Sequence, residues 1–194
     1  MSVIDSCADA SGLRFAVVVS RYHELISQKL LAACSAELVR CGASERQIDV
    51  AWVPGAFEIP LAARVLASSG RYDALVALGA VIRGGTPHFE YVCRGVTDGV
   101  REVMQATGVP VAFGVLTTDD VDQALERAGG AEGNKGAEAA QAALEMVHLC
   151  ALLAAPPPGE DVQGSTREAA EPPSPTRAAS AARRASRRRA EPRP

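Results

Sequence analysis

The sequence predicts a three-layer α/β/α sandwich built on a four-stranded parallel sheet, followed by a disordered tail, and three observations carry that prediction. Short apolar runs alternate with segments of helical periodicity across residues 13–155, the pattern of successive βαβ units. The first and third runs are apolar at nearly every position, so those strands are expected to be covered on both faces. At Pro156 the composition changes. The preceding 155 residues carry 12 basic and 18 acidic side chains, and the last 39 carry 8 and 5. Those 39 hold eight of the 12 prolines and, prolines aside, only Val162 is an apolar residue larger than alanine. Such a segment cannot build a core. The organisation expected is therefore a flexible segment 1–12, one domain 13–155 and a disordered tail 156–194.

The elements follow in order. Leu13 to Ser20 (LRFAVVVS) reads as a central strand. From His23 to Cys41, apolar Ile26, Leu30, Leu31, Cys34, Leu38 and Cys41 recur at helical spacing, and Gly42 supplies the stop. A strand over Ile48–Val53, a helix over about Glu58–Ser69, a strand over Ala74–Ile82 and a helix over about His88–Thr107 come next. A fourth strand, Val111–Leu116, leads into a helix from about Asp119 to Ala128, with Thr117 or Thr118 as its N-cap and Asp119, Asp120 and Asp122 facing the positive end of its dipole. The glycine-rich stretch Gly129–Gly136 breaks the chain before a last helix to about Ala155. Parallel sheets of this kind take ligands at the carboxyl ends of their strands, which places functional residues just after Ser20, Val53, Ile82 and Leu116.

Composition narrows the chemistry. With 47% hydrophobic residues and only 4% aromatic, the core is aliphatic. The longest apolar run, Ala74–Ile82, is half a bilayer span, so no membrane segment is expected. Asp5 and Asp9 occupy the place of a basic start and apolar h-region, which argues against export. Five cysteines without a CxxC suggest neither a disulfide framework nor zinc, and a reducing cytoplasm is the expected location. His23, His88 and His148 fall in no metal-ligand motif, so no metal is expected.

Four segments offer chemistry. In Arg83-Gly84-Gly85-Thr86-Pro87-His88-Phe89-Glu90, two glycines open the backbone N–H groups to an anion, Thr86 can cap the helix and Pro87 suits its first turn. This is a phosphate cradle on a helix N-terminus. His88 sits in the same turn, where the dipole and Arg83 are expected to disfavour the imidazolium and leave a proton-exchanging neutral ring. A purely structural loop with an exposed histidine would carry the same residues. In Val53-Pro54-Gly55-Ala56-Phe57-Glu58, the Phe57 ring and exposed backbone suit a flat heterocycle, and Glu58 can accept from its N–H or from a sugar hydroxyl. Phe57 as core and Glu58 as a first-turn carboxylate is the plainer alternative. Ser20-Arg21-Tyr22-His23 brings an aromatic ring to the first strand's end. Arg127 and Lys135 can bind a phosphate, or simply complement a helix C-terminus.

In sequence, SRYHELI, VPGAFEIP, ALGAVIRGGTPHFEYV, PVAFGVLTTDD and ERAGGAEGNKGAEAAQAALEM together resemble the lumazine synthase family, from about Leu13 to about Leu153. The resemblance implies a flavodoxin-like sheet and the synthesis of 6,7-dimethyl-8-ribityllumazine from 5-amino-6-(D-ribitylamino)uracil and 3,4-dihydroxy-2-butanone 4-phosphate, the penultimate step of riboflavin biosynthesis, with no cofactor. Tyr22 stands where the family usually has a stacking Phe. Ala56, Phe57 and Glu58, with Ala80, Val81 and Ile82, match the pyrimidine pocket, and Phe113 matches an aromatic from a neighbouring subunit. Gly85 and Thr86 match the phosphate loop, Arg127 and Lys135 the phosphate-binding cations, and His88 the proton-transfer residue. Gly129-Gly130-Ala131-Glu132 departs from the commoner GTKA.

The resemblance further implies a homo-oligomer, either a pentamer or an icosahedral shell. The Gly129–Gly136 break has the length found in shell-forming members. Association with riboflavin synthase belongs to the same expectation. Two rival readings stand beside it. One is a non-catalytic flavin- or lumazine-binding module, which would lack the phosphate residues. The other is an oligomeric scaffold whose Arg-rich tail binds nucleic acid or another anionic partner.

Overall fold

In the computed structural model, which describes residues 9–155, β1 (Phe15–Ser20) lies between β2 (Ile48–Val53) and β3 (Ala74–Ile82), and β4 (Val111–Thr118) closes the far edge. The order is β2-β1-β3-β4, and all three pairings are parallel. Parallel neighbours need crossovers, supplied by α1 (Glu24–Arg40), α2 (Ile59–Ala67) and α3 (His88–Thr107). After β4 come α4 (Val121–Glu126) and α5 (Lys135–Ala154). The expectations of a flexible start and a disordered tail fall on 1–8 and 156–194, outside the described residues. Residues 9–12 are held against the domain, where Ala10 is buried and donates its N–H to the Cys41 carbonyl at 2.8 Å.

The two-residue period of a strand decides which layer each side chain enters. Phe15, Val17, Val19, Val76 and Leu78 meet Leu30, Cys34 and Leu38 of α1 and Ala140, Ala143 and Leu144 of α5. Their neighbours Ala16, Val18, Leu75 and Ala77 meet Ile59 and Ala63 of α2 and Val96, Val100 and Val103 of α3. Every residue of β1 is buried, as its continuous apolar run requires. Truncating a fully buried Leu30, Leu38 or Leu144 to alanine should cost about 2–5 kcal/mol, since the rigid layers cannot collapse into the gap.

Four readings are corrected. β4 runs two residues past Leu116, because Thr117 and Thr118 continue the ladder opposite Val81 and Ile82. The N-cap of α4 is consequently Asp120, whose carboxylate accepts from the Gln123 N–H at 2.7 Å, and neither threonine caps it. The Gly129–Gly136 break contains a small antiparallel hairpin, β5 (Ala128–Gly130) with β6 (Gly133–Asn134). Finally, α5 does have the length and mean hydropathy (1.3) of a membrane span, and 22% of its most apolar 18 residues are buried inside the domain. Glu138, Gln141 and Glu145 break its apolar run in sequence, while Ala139, Ala140, Ala143 and Leu144 form the stripe that packs on the sheet.

Candidate active site

A cavity of about 660 Å³ opens at the carboxyl ends of β1, β2 and β3, within the range of small-molecule sites. Its first wall is the turn after β1. Tyr22 and His23 line the cavity, and His23 is the only non-glycine residue among the described ones with positive φ (55°). That left-handed geometry is uncommon outside glycine and recurs at functional sites. The turn is pinned from beneath, because the hydroxyls of buried Ser20 and Ser27 both reach the Tyr22 carbonyl at 3.4 Å. The backbone is thereby fixed while the Tyr22 ring stays 70% exposed over the opening.

The second wall comes from the turn after β2, where Pro54, Gly55, Ala56, Phe57 and Glu58 all face the cavity. Residues 56–58 form one 3₁₀ turn before α2. Ala56 is buried, whereas Phe57 is 60% exposed, so it is a wall and not core. The floor is β3 itself, through Ala80, Val81 and Ile82. Beyond Ile82 the chain turns through Gly84 and Thr86 into α3, which contributes His88, Phe89, Tyr91 and Val92. Tyr91 and Val92 were not singled out in the sequence, yet they follow from His88, being three and four residues further along one helical face. His23, Pro54, Gly55, Gly84 and Phe89 also line the cavity, and all five lie within the candidate segments read from the sequence.

The phosphate-cradle reading needs two corrections. Thr86 does not cap α3. Pro87 holds the cap position at φ −63°, no side chain bonds the free N–H groups there, and the Thr86 hydroxyl has no hydrogen-bond partner within the described residues. Arg83, expected to repel an imidazolium at His88, has its charge occupied elsewhere. Its Nη1 meets Glu90 at 2.6 Å, its Nε meets Asp119 at 2.8 Å, and the guanidinium lies 4.2 Å from the Phe89 ring centroid. Those carboxylates, Glu90 first, raise the Arg83 pKa above its usual value.

Four residues expected at the site do not line this cavity. Gly85 lies between two that do, and a Cβ there would meet nothing within 4 Å. Phe113 is 42% exposed on edge strand β4. Arg127 ends α4, where its Nη1 donates to the Gln123 carbonyl at 3.0 Å. Lys135 opens α5 and pairs with Glu138 at 2.7 Å. The single chain thus joins the aromatic and apolar walls to the 84–88 turn, and leaves the β4 and α4–α5 residues outside. Chemically, the cavity offers ring faces, an apolar floor, free helix N–H groups and an imidazole.

The model of one protein family, described as 6,7-dimethyl-8-ribityllumazine synthase, matches residues 12–151, which is 140 of the 194 residues and includes all the cavity-lining segments. The chain therefore belongs to the 6,7-dimethyl-8-ribityllumazine synthase family, a membership that implies lumazine synthase activity in riboflavin biosynthesis.

Proposed function

We propose that this protein condenses 5-amino-6-(D-ribitylamino)uracil with 3,4-dihydroxy-2-butanone 4-phosphate to give 6,7-dimethyl-8-ribityllumazine, water and phosphate, in the penultimate step of riboflavin biosynthesis. The observation that carries this reading is one cavity shared by Tyr22, Phe57, Thr86 and His88 in a chain of this family. Tyr22 and Phe57 hold the pyrimidine by its faces over Ala80, Val81 and Ile82, and Glu58 accepts from the ribityl hydroxyls. The backbone of 84–86 and the first turn of α3 receive the phosphate.

The amine attacks the ketone and loses water to form an imine. Loss of phosphate, attack of the ribityl-bearing nitrogen on the remaining carbonyl and loss of a second water complete the ring. These steps move protons, and His88 is placed to carry them. Charge growing on the departing phosphate is met by the helix N–H groups and by Arg127 and Lys135. Much of the acceleration comes from holding two reactants in register, since the amine is already a nucleophile. The reaction calls for no cofactor.

Because Phe113, Arg127 and Lys135 stand away from the cavity of their own chain, the complete site is formed between neighbouring subunits of a homo-oligomer. A pentameric ring is the assembly proposed, and a cytoplasmic location suits its soluble substrates. Mixing the purified protein with both substrates, without metal or nucleotide, tests the reading. Lumazine absorbance and fluorescence should rise together with one phosphate released per lumazine. Tight lumazine binding without turnover would leave a binding module instead.

A further inference from the structure

We propose that Gly95 is a positioning residue for pyrimidine binding, because its missing side chain seats the Phe57 ring against α3 and so sets where the aromatic wall of the cavity stands. This deepens the function proposed above and rests on Phe57 facing the pyrimidine. Gly95 lies inside the 20-residue helix α3, where glycine is a poorer helix former than alanine. Its φ is an ordinary helical one, so the backbone does not require glycine there. Space does. A Cβ built on Gly95 overlaps Cε2 of Phe57 and stands 2.8 Å from its Cδ2, where carbon–carbon contact normally begins at about 3.5 Å.

The placement ties this packing to the site. Tyr91 and Val92, one turn earlier on the same face of α3, line the cavity together with Phe57. Phe57 is mostly exposed apart from this contact, so an added methyl is relieved by moving the ring and not by deforming the core. The ring must retreat from α3 by roughly 0.7 Å or more to restore ordinary contact with Cδ2. A displacement of that size in a stacking wall weakens binding of a flat ligand while leaving the 84–88 turn where it was.

The experiment compares wild type, Gly95→Ala, Phe57→Ala and the double variant in the full-length protein. Binding of 5-amino-6-(D-ribitylamino)uracil is read by calorimetry, KM of each substrate by steady-state kinetics, and stability by thermal unfolding. Gly95→Ala should weaken pyrimidine binding and raise its KM by about tenfold, in keeping with the sensitivity of bound geometry to shifts near 1 Å. It should leave the KM of the butanone phosphate within about twofold and the melting temperature no lower than wild type, since alanine favours the helix. In the Phe57→Ala background, which has no ring to displace, adding Gly95→Ala should change pyrimidine binding less than about twofold, the signature of a coupled pair. Pyrimidine affinity unchanged in the single variant, or lost equally in both backgrounds, would overturn the proposal and leave the pocket's function standing. A folded wild type that does not bind the pyrimidine would instead overturn the functional reading, and the role of Gly95 with it.

Discussion

Arg83 and Asp119 join the ends of β3 and β4 through an Nε–Oδ1 bond of 2.8 Å, 36 residues apart in sequence. The same guanidinium reaches Glu90 in the first turn of α3 and stacks on Phe89, which lines the cavity. One side chain therefore braces the turn 84–88 from both sides and neutralises two carboxylates beside the proposed phosphate position. As an exposed pair this contributes little to stability. Its consequence is electrostatic. In Arg83→Met the stem still packs on Phe89 while Glu90 and Asp119 lose their partner. The KM for the phosphorylated substrate should rise by roughly three- to tenfold, more at low salt than at high, because like charges then face the phosphate across little screening. The melting temperature should fall by no more than a few degrees. Kinetics at two ionic strengths check this, and a salt-independent effect would count against it.

His88→Ala should lower kcat by about 10²-fold and leave both KM values within a few-fold, since a positioned proton-transfer group typically contributes 10²- to 10⁴-fold and water or buffer partly replaces it. Small amines or imidazole added to the variant should restore part of the rate. Full activity in the variant at every pH would remove His88 from the mechanism.

A third expectation concerns acid stability. Arg40 first, and Gln141 second, hold the Glu37 carboxyl at about 2, well below its ordinary 4.5. The contacts are short, with Arg40 Nη2 at 2.6 Å and Gln141 Nε2 at 2.6 Å from Oε1; the first lies within α1, and the second ties α1 to α5. A carboxylate whose pKa is depressed by folding stabilises the fold above its unfolded value, and that contribution disappears as pH falls from about 4.5 towards 2. Glu37→Gln should therefore melt about 1–2 °C below wild type at pH 7, corresponding to roughly 0.5 kcal/mol for a surface pair. Thermal unfolding across pH 7 to 2.5 should show the two curves converging below pH 4. A gap that is constant with pH would assign the difference to packing.

How much of this was legible in sequence depended on whether the deciding interaction was local. β2 and β3 were read to the residue, because each is a short, mostly apolar stretch, interrupted in β2 by Asp49, with polar or turn residues at both ends. Within the cavity, the turns after β1, β2 and β3 were found by the rule that strands of a parallel sheet present their carboxyl ends to ligand, and Tyr91 and Val92 needed only helical spacing from His88. The misreadings are tertiary. Thr118 is a good cap in isolation, yet it pairs with Ile82 and sends its hydroxyl to the Asp120 carbonyl at 2.8 Å, which leaves Asp120 as the cap. Arg83 is a free cation in sequence, and only the meeting of β3 with β4 supplies Asp119. The Phe57–Gly95 contact crosses 38 residues and leaves no mark in either local pattern.

The last prediction asks whether the site is shared between subunits. Gly84, Thr86 and His88 line the cavity of their own chain, whereas Arg127 points back to Gln123 at the end of α4 and Phe113 faces outward from edge strand β4. A ring of identical chains can bring the β4 edge and α4 end of one subunit to the cavity of the next, and each subunit would then give one half-site and receive another. Gly85→Asp places a negative charge in the proposed phosphate turn without touching its own chain, since a Cβ there meets nothing within 4 Å. Arg127→Glu reverses the cation in the other half. Each variant alone should be inactive in the condensation. Coexpressed with separate affinity tags and purified through both, they form mixed rings in which some interfaces join an intact Gly85 turn to an intact Arg127. Activity should reappear there, reaching about a quarter of wild type for random mixing, because a functional interface needs one particular chain on each side. Verified mixed rings that stay inactive, with both variants folded and assembled normally, would place Gly85 and Arg127 in the same subunit's site.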